Sequence, residues 1–221
     1  MKYEIEIKSL LGQQENADIF RDRILERGAE KQTANSQLNH YFLMGDANAL
    51  LEKVSGYFNE EQNTLLKKIL LEGDKHSVRT RSLDGTVKLV IKASVDDTTS
   101  ANGIARMEFE EDVPISLDEL DQLLLSVGFE YQAKWSRDRE EFVLDDVTIC
   151  LDKNAGYGYL TEFELVVPEG GDRHLAESKI RDLMSVCGVE ELQQDRLARM
   201  FDYYNTNWPD YYGTEKVFTI E

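Results

Sequence analysis

The sequence predicts an α+β fold, an eight-stranded closed antiparallel β-barrel forming a tunnel, with helices packed outside. Three observations predict it. Several segments alternate apolar and charged residues with a period of two, as strands covered on one face do. An Asp84-Gly85 pair separates two of them, a strong hairpin signal. Other segments carry apolar residues at helical spacing, so helices are available to cover the apolar face. Closure would remove exposed sheet edges.

Taken in order, residues 2–8 place Tyr3, Ile5 and Ile7 on one face and Glu4, Glu6 and Lys8 on the other, which is a strand. Residues 14–28 have helical spacing (Ala17, Phe20, Ile24, Leu25) and stop at Gly28. His40 to Met44 reads as a short strand, and Ala47 to Leu71 as two helices broken around Ser55 to Asn59. Strands at 76–83 and 86–93 form the hairpin, and a further strand at 104–113 ends at Pro114. Leu117 to Val127 is an amphipathic helix closed by Gly128.

Strands at 130–144, 147–152 and 159–167 complete the set in meander order, with turns at Asp145-Asp146 and Asn154 to Gly158. Helices follow at 173–187 and 190–204. The tail, Asn205 to Glu221, is aromatic and irregular, with a last strand expected at Lys216 to Ile220. The absence of a Pro/Ser/Gly-rich linker or a repeat points to one domain over residues 1–204, with a helical insertion at 47–71 and a tail at 205–221.

With 221 residues, 41% hydrophobic, ten Tyr and nine Phe, the chain can build a core, which excludes global disorder. No stretch approaches the roughly 18 apolar residues of a membrane span. The N-terminus opens on alternating charge, without the apolar segment of a signal peptide. Cys150 and Cys187 suggest neither a disulfide framework nor a zinc site, so a reduced, cytoplasmic protein is expected. His40, His76 and His174 lie apart, match no ligand spacing and read as packing residues. The chain is compatible with a homodimer. A net charge of −18 argues against a nucleic-acid binder.

The basic residues nevertheless cluster by parity within strands. One face of the strand set carries Glu4, Glu6 and Lys8, then Arg79, Arg81, Lys88 and Lys92, then Arg106, Glu108 and Glu110. It continues with Arg137, Arg139, Asp152, Glu162 and Glu164. Between them stand Ile5, Ile7, Leu89, Ile91, Met107, Phe109, Ile149, Leu151, Phe163 and Leu165.

A solvated polar face gives the same alternation, but this one has few Ser, Thr or Asn. Its signs also segregate by strand, with cations on the hairpin. If helices cover the apolar side, a closed barrel puts the ions inside, where like-signed cations need a polyanion. A triphosphate fits, since Arg and Lys bind phosphate oxygens by charge-assisted hydrogen bonds. The carboxylates are suited to Mg²⁺ or Mn²⁺, hard cations that bridge to phosphates. Cys150 shares parity with Asp152 and reads as a small buried residue.

Glu4-Ile5-Glu6-Ile7-Lys8 resembles the Glu-x-Glu-x-Lys signature of the CYTH family, the triphosphate tunnel metalloenzymes. Val78-Arg79-Thr80-Arg81 resembles the family's paired-arginine strand, and Val90-Ile91-Lys92 its strand ending in lysine. Arg106-Met107-Glu108-Phe109-Glu110 resembles its Arg-x-Glu-x-Glu strand. Arg139-Glu140-Glu141-Phe142, Leu151-Asp152 and Gly158 to Glu164 are similar to its closing elements, in order. The likeness covers residues 2–204. The longer helical stretch from Ala47 to Leu71 and the tail beyond Tyr204 depart from it.

The resemblance implies an eight-stranded tunnel acting on triphosphates with divalent metal. It implies phosphate-holding roles for Lys8, Arg79, Arg81, Lys92 and Arg139, with Lys88 and Arg137 as further candidates. Metal positioning falls to Glu4, Glu6, Glu162 and Glu164, with Asp152 or Glu108. Lys8, Glu4 and Glu6 are the catalytic candidates, Lys8 as base or, preferably, as phosphate ligand. Arg106 and Glu110 are weaker candidates, and the helix from Leu192 to Tyr204 resembles a segment that can close one tunnel end.

The first reading is hydrolysis of inorganic triphosphate or a small organic triphosphate. The alternatives are a class IV-type adenylate cyclase and a non-catalytic polyphosphate-binding module. No feature demands adenine, and Trp208 with the tail tyrosines reads as a packed aromatic cluster in preference to a base-stacking surface.

Overall fold

A computed structural model describes residues 2–94, 106–168 and 171–220, with the side chains of residues 2–4, 94, 106 and 168 left aside. Eight strands and six α-helices form among them. They run β1 (Lys2–Gly12), α1 (Gln14–Glu26), β2 (Glu30–Leu43), α2 (Ala47–Val54), α3 (Glu60–Glu72), β3 (Asp74–Leu83) and β4 (Thr86–Ser94). Then follow β5 (Arg106–Asp112), α4 (Leu117–Ser126), β6 (Glu130–Leu144), β7 (Val147–Asn154), β8 (Gly158–Pro168), α5 (Arg173–Cys187) and α6 (Gln194–Asn207). Residues 104–105 of the expected fifth strand lie outside the described residues. No described helix is long and apolar enough to cross a membrane.

The strands hydrogen-bond in the order β1-β8-β7-β6-β2-β3-β4-β5. This corrects the meander: β2 to β5 and β6 to β8 are each consecutive, but β6 joins β2 and β1 joins β8. Helix α4 separates β5 from β6 in sequence, so a two-residue hairpin cannot tie them. By packing, the chain divides into two compact units, residues 1–36 with 136–221, and residues 37–135.

The first unit is built on β1, β8, β7 and the later part of β6, all paired antiparallel. Its core joins Ile7, Phe142, Ile149, Leu151, Phe163 and Leu165 from the strands to Phe20 and Ile24 of α1 and Ile180 and Met184 of α5. These are the apolar residues of the alternating pattern, and helices α1 and α5 cover them. Phe20 meets Phe163 edge-on at 6.0 Å. At the start of β8, Gly158 has φ +72° and its backbone approaches Gly12 so closely that a Cβ would sit 2.1 Å from the Gly12 carbonyl oxygen.

The second unit repeats the logic with β3, β4 and β5. Val78, Leu89, Ile91 and Phe109 pack on Leu50 of α2, Leu66 and Ile69 of α3, and Leu120 and Leu124 of α4. Capping boxes at Asn59/Gln62 and Ser116/Glu119 start α3 and α4 where the sequence places helices. At the hairpin, Asp84 and Gly85 have φ +48° and +87°, the two positive values that a type I′ turn requires.

Two expectations fail locally. Strand β2 begins at Glu30 and not at His40; its first ten residues, Glu30 to Asn39, carry almost no apolar alternation and are largely exposed, so the sequence pattern does not reveal them. The tail strand at Lys216 to Ile220 is absent among the described residues: Val217 makes only an isolated bridge to Gly156. Instead Phe218 donates its N–H to the Gly156 carbonyl at 2.9 Å and its ring packs on Tyr157 at 4.8 Å. Tyr204 and Tyr211 join that cluster, as the packed-aromatic reading expects, while Trp208 lies edge-on to Tyr212 at 6.2 Å.

Candidate active site

In the first unit the strand register sets the ionic residues side by side. Lys8 lies opposite Glu162, and Glu6 opposite Glu164. Cys150 faces Glu162 across β7 and β8, and Arg139 faces Asp152 across β6 and β7. All share the sheet face turned away from α1 and α5, since successive side chains alternate.

The contacts are dense. Lys8 Nζ donates to Glu162 Oε1 at 2.7 Å and also lies against the Glu6 carboxylate. Arg139 binds Asp152 with two parallel hydrogen bonds, Nε to Oδ1 at 2.7 Å and Nη2 to Oδ2 at 2.6 Å. Nη2 also donates to Glu162 Oε2 at 2.5 Å, and Nη1 stands 4.0 Å from Glu164. Arg137 reaches the same Asp152 at 3.5 Å. Burial opposes the ionisation of Glu162, but the charges of Lys8 and Arg139 outweigh it and hold the carboxyl below its usual range. Burial also opposes the charge on Arg139, and the bond to Asp152 overcomes it and raises the guanidinium above its ordinary value.

Ligand atoms of Glu162, Glu164 and Cys150 lie within 4.8 Å of one another. Two carboxylates at that spacing suit a hard divalent cation, which takes oxygen ligands. The thiol does not: burial pushes Cys150 up to about 12, so it stays protonated and neutral at pH 7. The residues therefore fit a magnesium-type ion held by Glu162 and Glu164, with Glu6 opposite Glu164 in register.

Asp152 stands apart from this group, 1% exposed and committed to Arg139 and Arg137. The Glu4 side chain lies outside the described residues, as does that of Arg106. The connection between α5 and α6 is fastened behind the site, where the Leu192 N–H donates to the Lys8 carbonyl at 2.8 Å.

In the second unit, Arg79 and Arg81 of β3, Lys88 and Lys92 of β4, and Glu108, Glu110 and Asp112 of β5 share one face by register. The cations are not left to repel one another, as their clustering in sequence suggests. Lys92 pairs with Glu108 at 2.9 Å, Lys88 with Asp112 at 2.7 Å, and Arg81 Nη1 donates to both Glu110 oxygens at 3.0 Å. Glu108, a candidate metal ligand, is thus engaged with Lys92 on this unit's face.

Arg79 differs. Its Nη1 donates to Tyr41 Oη at 2.7 Å and its guanidinium stands 5.4 Å over the Tyr41 ring. Its buried Nε has no hydrogen-bond partner, and among the described residues no carboxylate pairs with it. A guanidinium with spare donors is what an anionic ligand requires.

Sequence reasoning missed Asn39 and Tyr41, which hold Arg81 and Arg79: Asn39 precedes the expected strand start at His40, and Tyr41 lies inside that strand but carries no charge to mark it. The alternation of His40 and Phe42 toward the core is the signal that places Asn39 and Tyr41 on the ionic face. Asp121 was missed as well. It lies on α4 at 1% exposure and accepts hydrogen bonds from His40, Thr80 and Tyr131.

No curated protein gives a significant match to the chain. Among solved structures it is similar to the PH1012 protein of Pyrococcus horikoshii OT3, with TM-score 0.54, 17% identity, and coverage of 85% of this chain and 92% of that one. It is similar to a candidate adenylate cyclase of Vibrio parahaemolyticus (TM-score 0.51, 14% identity, 90% and 98% covered). A third is HpAC1 of Hippeastrum, a candidate adenylyl cyclase whose structure is described as revealing a dominant triphosphatase activity (TM-score 0.51, 15% identity, 91% and 96% covered). At these identities the likeness is one of fold. The family model of the CYTH domain matches residues 2–197, nearly the whole length, and on that match, with the strand set and the ionic faces, the chain belongs to the CYTH domain family.

Proposed function

We propose that this protein is a divalent-metal-dependent triphosphatase acting on inorganic triphosphate or a small organic triphosphate, bound on the ionic face of the sheet. CYTH proteins include triphosphatases and cyclases, and the reading selects hydrolysis. The observation that carries it is the Glu162–Glu164 pair set beside Lys8 and Arg139 on one sheet face, cation-holding donors adjoining phosphate-holding ones.

Glu162 and Glu164, with Glu6 and Glu4, hold Mg²⁺ or Mn²⁺. When bound, that ion neutralises phosphate charge and orients the triphosphate. Lys8, Arg139, Arg137, Arg79, Arg81, Lys88 and Lys92 are the candidate donors to phosphate oxygens. Each would exchange a carboxylate contact for a phosphate one, except Arg79, which has no carboxylate partner to give up among the described residues. A carboxylate of the Glu4–Glu6 pair orients the attacking water in line with the terminal phosphorus, and Lys8 serves as phosphate ligand.

The test is product release from inorganic triphosphate, ATP and thiamine triphosphate with Mg²⁺ or Mn²⁺, with cyclic AMP assayed in parallel. Orthophosphate release that vanishes in Glu164→Gln is expected. Pyrophosphate with cyclic AMP would replace hydrolysis by cyclisation, and tight binding without product would leave a polyphosphate-binding module.

A further inference from the structure

Behind the arginine strand lies a buried polar cluster that the phosphate-binding reading does not use. Asp121 projects from α4, flanked in sequence by Leu120 and followed by Leu124, both in the apolar core. Its two oxygens are shared between adjacent strands: His40 Nδ1 of β2 donates to Oδ2 at 2.6 Å, and Thr80 Oγ1 of β3 donates to Oδ1 at 2.6 Å. Tyr131 of β6 donates its hydroxyl to Oδ2 at 2.7 Å, and Lys134 Nζ stands 3.8 Å from the same oxygen, 4.1 Å over the Tyr131 ring. His40, Thr80 and Asp121 are all buried.

His40 and Thr80 are direct partners in the β2–β3 ladder, and the flanking pairs are Asn39 with Arg81 and Tyr41 with Arg79. Side chains alternate, so this one pair points to the helix side while both neighbouring pairs point to the ionic face. On that face Asn39 Oδ1 accepts from Arg81 Nε at 2.9 Å, and Tyr41 Oη accepts from Arg79 Nη1 at 2.7 Å. Apolar residues in place of the whole cluster would avoid the desolvation of a carboxylate and leave no donor unmet, so stability alone does not call for an aspartate there. A two-point attachment to adjacent strands does: it fixes their relative sliding and the seat of α4 at the step between the two arginines.

We propose that Asp121 is a positioning residue, which holds the guanidinium groups of Arg79 and Arg81 at the spacing a triphosphate requires by clamping the His40–Thr80 step behind them. The proposal rests on the triphosphate-binding reading above. A displacement on the order of 1 Å in such a frame weakens productive binding by up to about 100-fold.

The experiment is calorimetric binding of inorganic tripolyphosphate in the presence of Mg²⁺ to Asp121→Asn, Thr80→Val, Tyr131→Phe and Arg81→Gln, with melting temperature, kcat and KM measured for each. Expected is a Kd and KM rise of about tenfold or more in Asp121→Asn with a smaller change in kcat, and a graded rise in the two milder variants. The Nε–Hε resonances of Arg79 and Arg81 should also move in Tyr131→Phe. A lowered melting temperature with the parent Kd, measured where the variant is folded, would overturn the proposal. If Asp121→Asn does not fold, Thr80→Val and Tyr131→Phe decide in the same way. Parent-like binding by Arg81→Gln would instead overturn the triphosphate-binding reading, and the clamp's function with it.

Discussion

Arg139 closes on Asp152 with both a side and an end of its guanidinium, at 2.7 and 2.6 Å, while the same Nη2 reaches Glu162 at 2.5 Å. One cation thus ties a carboxylate that is 1% exposed to one that could hold metal. Breaking such a pair leaves an uncompensated charge in a dry place. Asp152→Ala should therefore destabilise the protein by about 3 kcal/mol in urea titrations. Adding Arg139→Met should recover most of that loss, because the orphaned charge goes with it. Equal, additive losses in the two variants would show that the pair is not coupled.

Arg79 should behave in the opposite way. Its Nε is buried without a partner, so the folded protein bears an unmet donor that ligand binding would satisfy. Arg79→Met should raise stability by about 1 kcal/mol, a rise of roughly 2–4 °C in Tm, while weakening tripolyphosphate binding. A scan of thermal unfolding with and without tripolyphosphate reads both effects. A variant that loses stability and keeps its affinity would contradict the account.

Acid stability should carry a signature of Asp121. Burial opposes its ionisation, but hydrogen bonds from His40, Thr80 and Tyr131 prevail and hold the carboxyl below its ordinary value. A group depressed in the folded state contributes stability above its unfolded pKa, about 3.9, and that contribution is lost as pH falls through the folded value. Below about pH 5 the parent should lose stability faster than Asp121→Asn, and the difference should close only as pH falls through the folded value. Parallel curves from denaturant midpoints would refute the assignment.

Gly158 should not tolerate a methyl group. Its φ of +72° disfavours any L side chain, and a Cβ would meet the Gly12 carbonyl oxygen at 2.1 Å, a backbone atom that cannot swing aside. Gly158→Ala is expected to lose about 2 kcal/mol or more. Gly85→Ala, equally left-handed but with nothing within 4 Å of its Cβ, should lose only about 1 kcal/mol. Comparable melting temperatures for the two variants would remove the clash from the explanation.

Most of the site was legible because a strand's period of two is rigid. Once Ile5 and Ile7 are inside, Glu6 and Lys8 must share the other face, and the same parity places Arg79 with Arg81 and Glu162 with Glu164. What could not be read was whatever depends on partners distant in sequence. Residues 30–36 extend as a strand although nothing in Lys31-Gln32-Thr33-Ala34-Asn35-Ser36 alternates, because ladder bonds and not side-chain burial hold them. Asp121 reads in isolation as a solvent-facing acid on an amphipathic helix, and only the arrival of β2 and β3 makes it a buried acceptor. The pairing of Lys92 with Glu108 and Lys88 with Asp112 likewise follows from the β4–β5 register, which no single strand encodes.

The division into two compact units has an optical consequence. The chain has two tryptophans, and one falls in each unit, Trp135 in residues 37–135 and Trp208 in residues 136–221. Trp135→Phe and Trp208→Phe variants therefore carry one tryptophan apiece, whose selectively excited emission reports on a different half of the molecule. Emission followed through denaturation will give one shared transition if the halves melt as a single cooperative body, and two midpoints if each keeps its own.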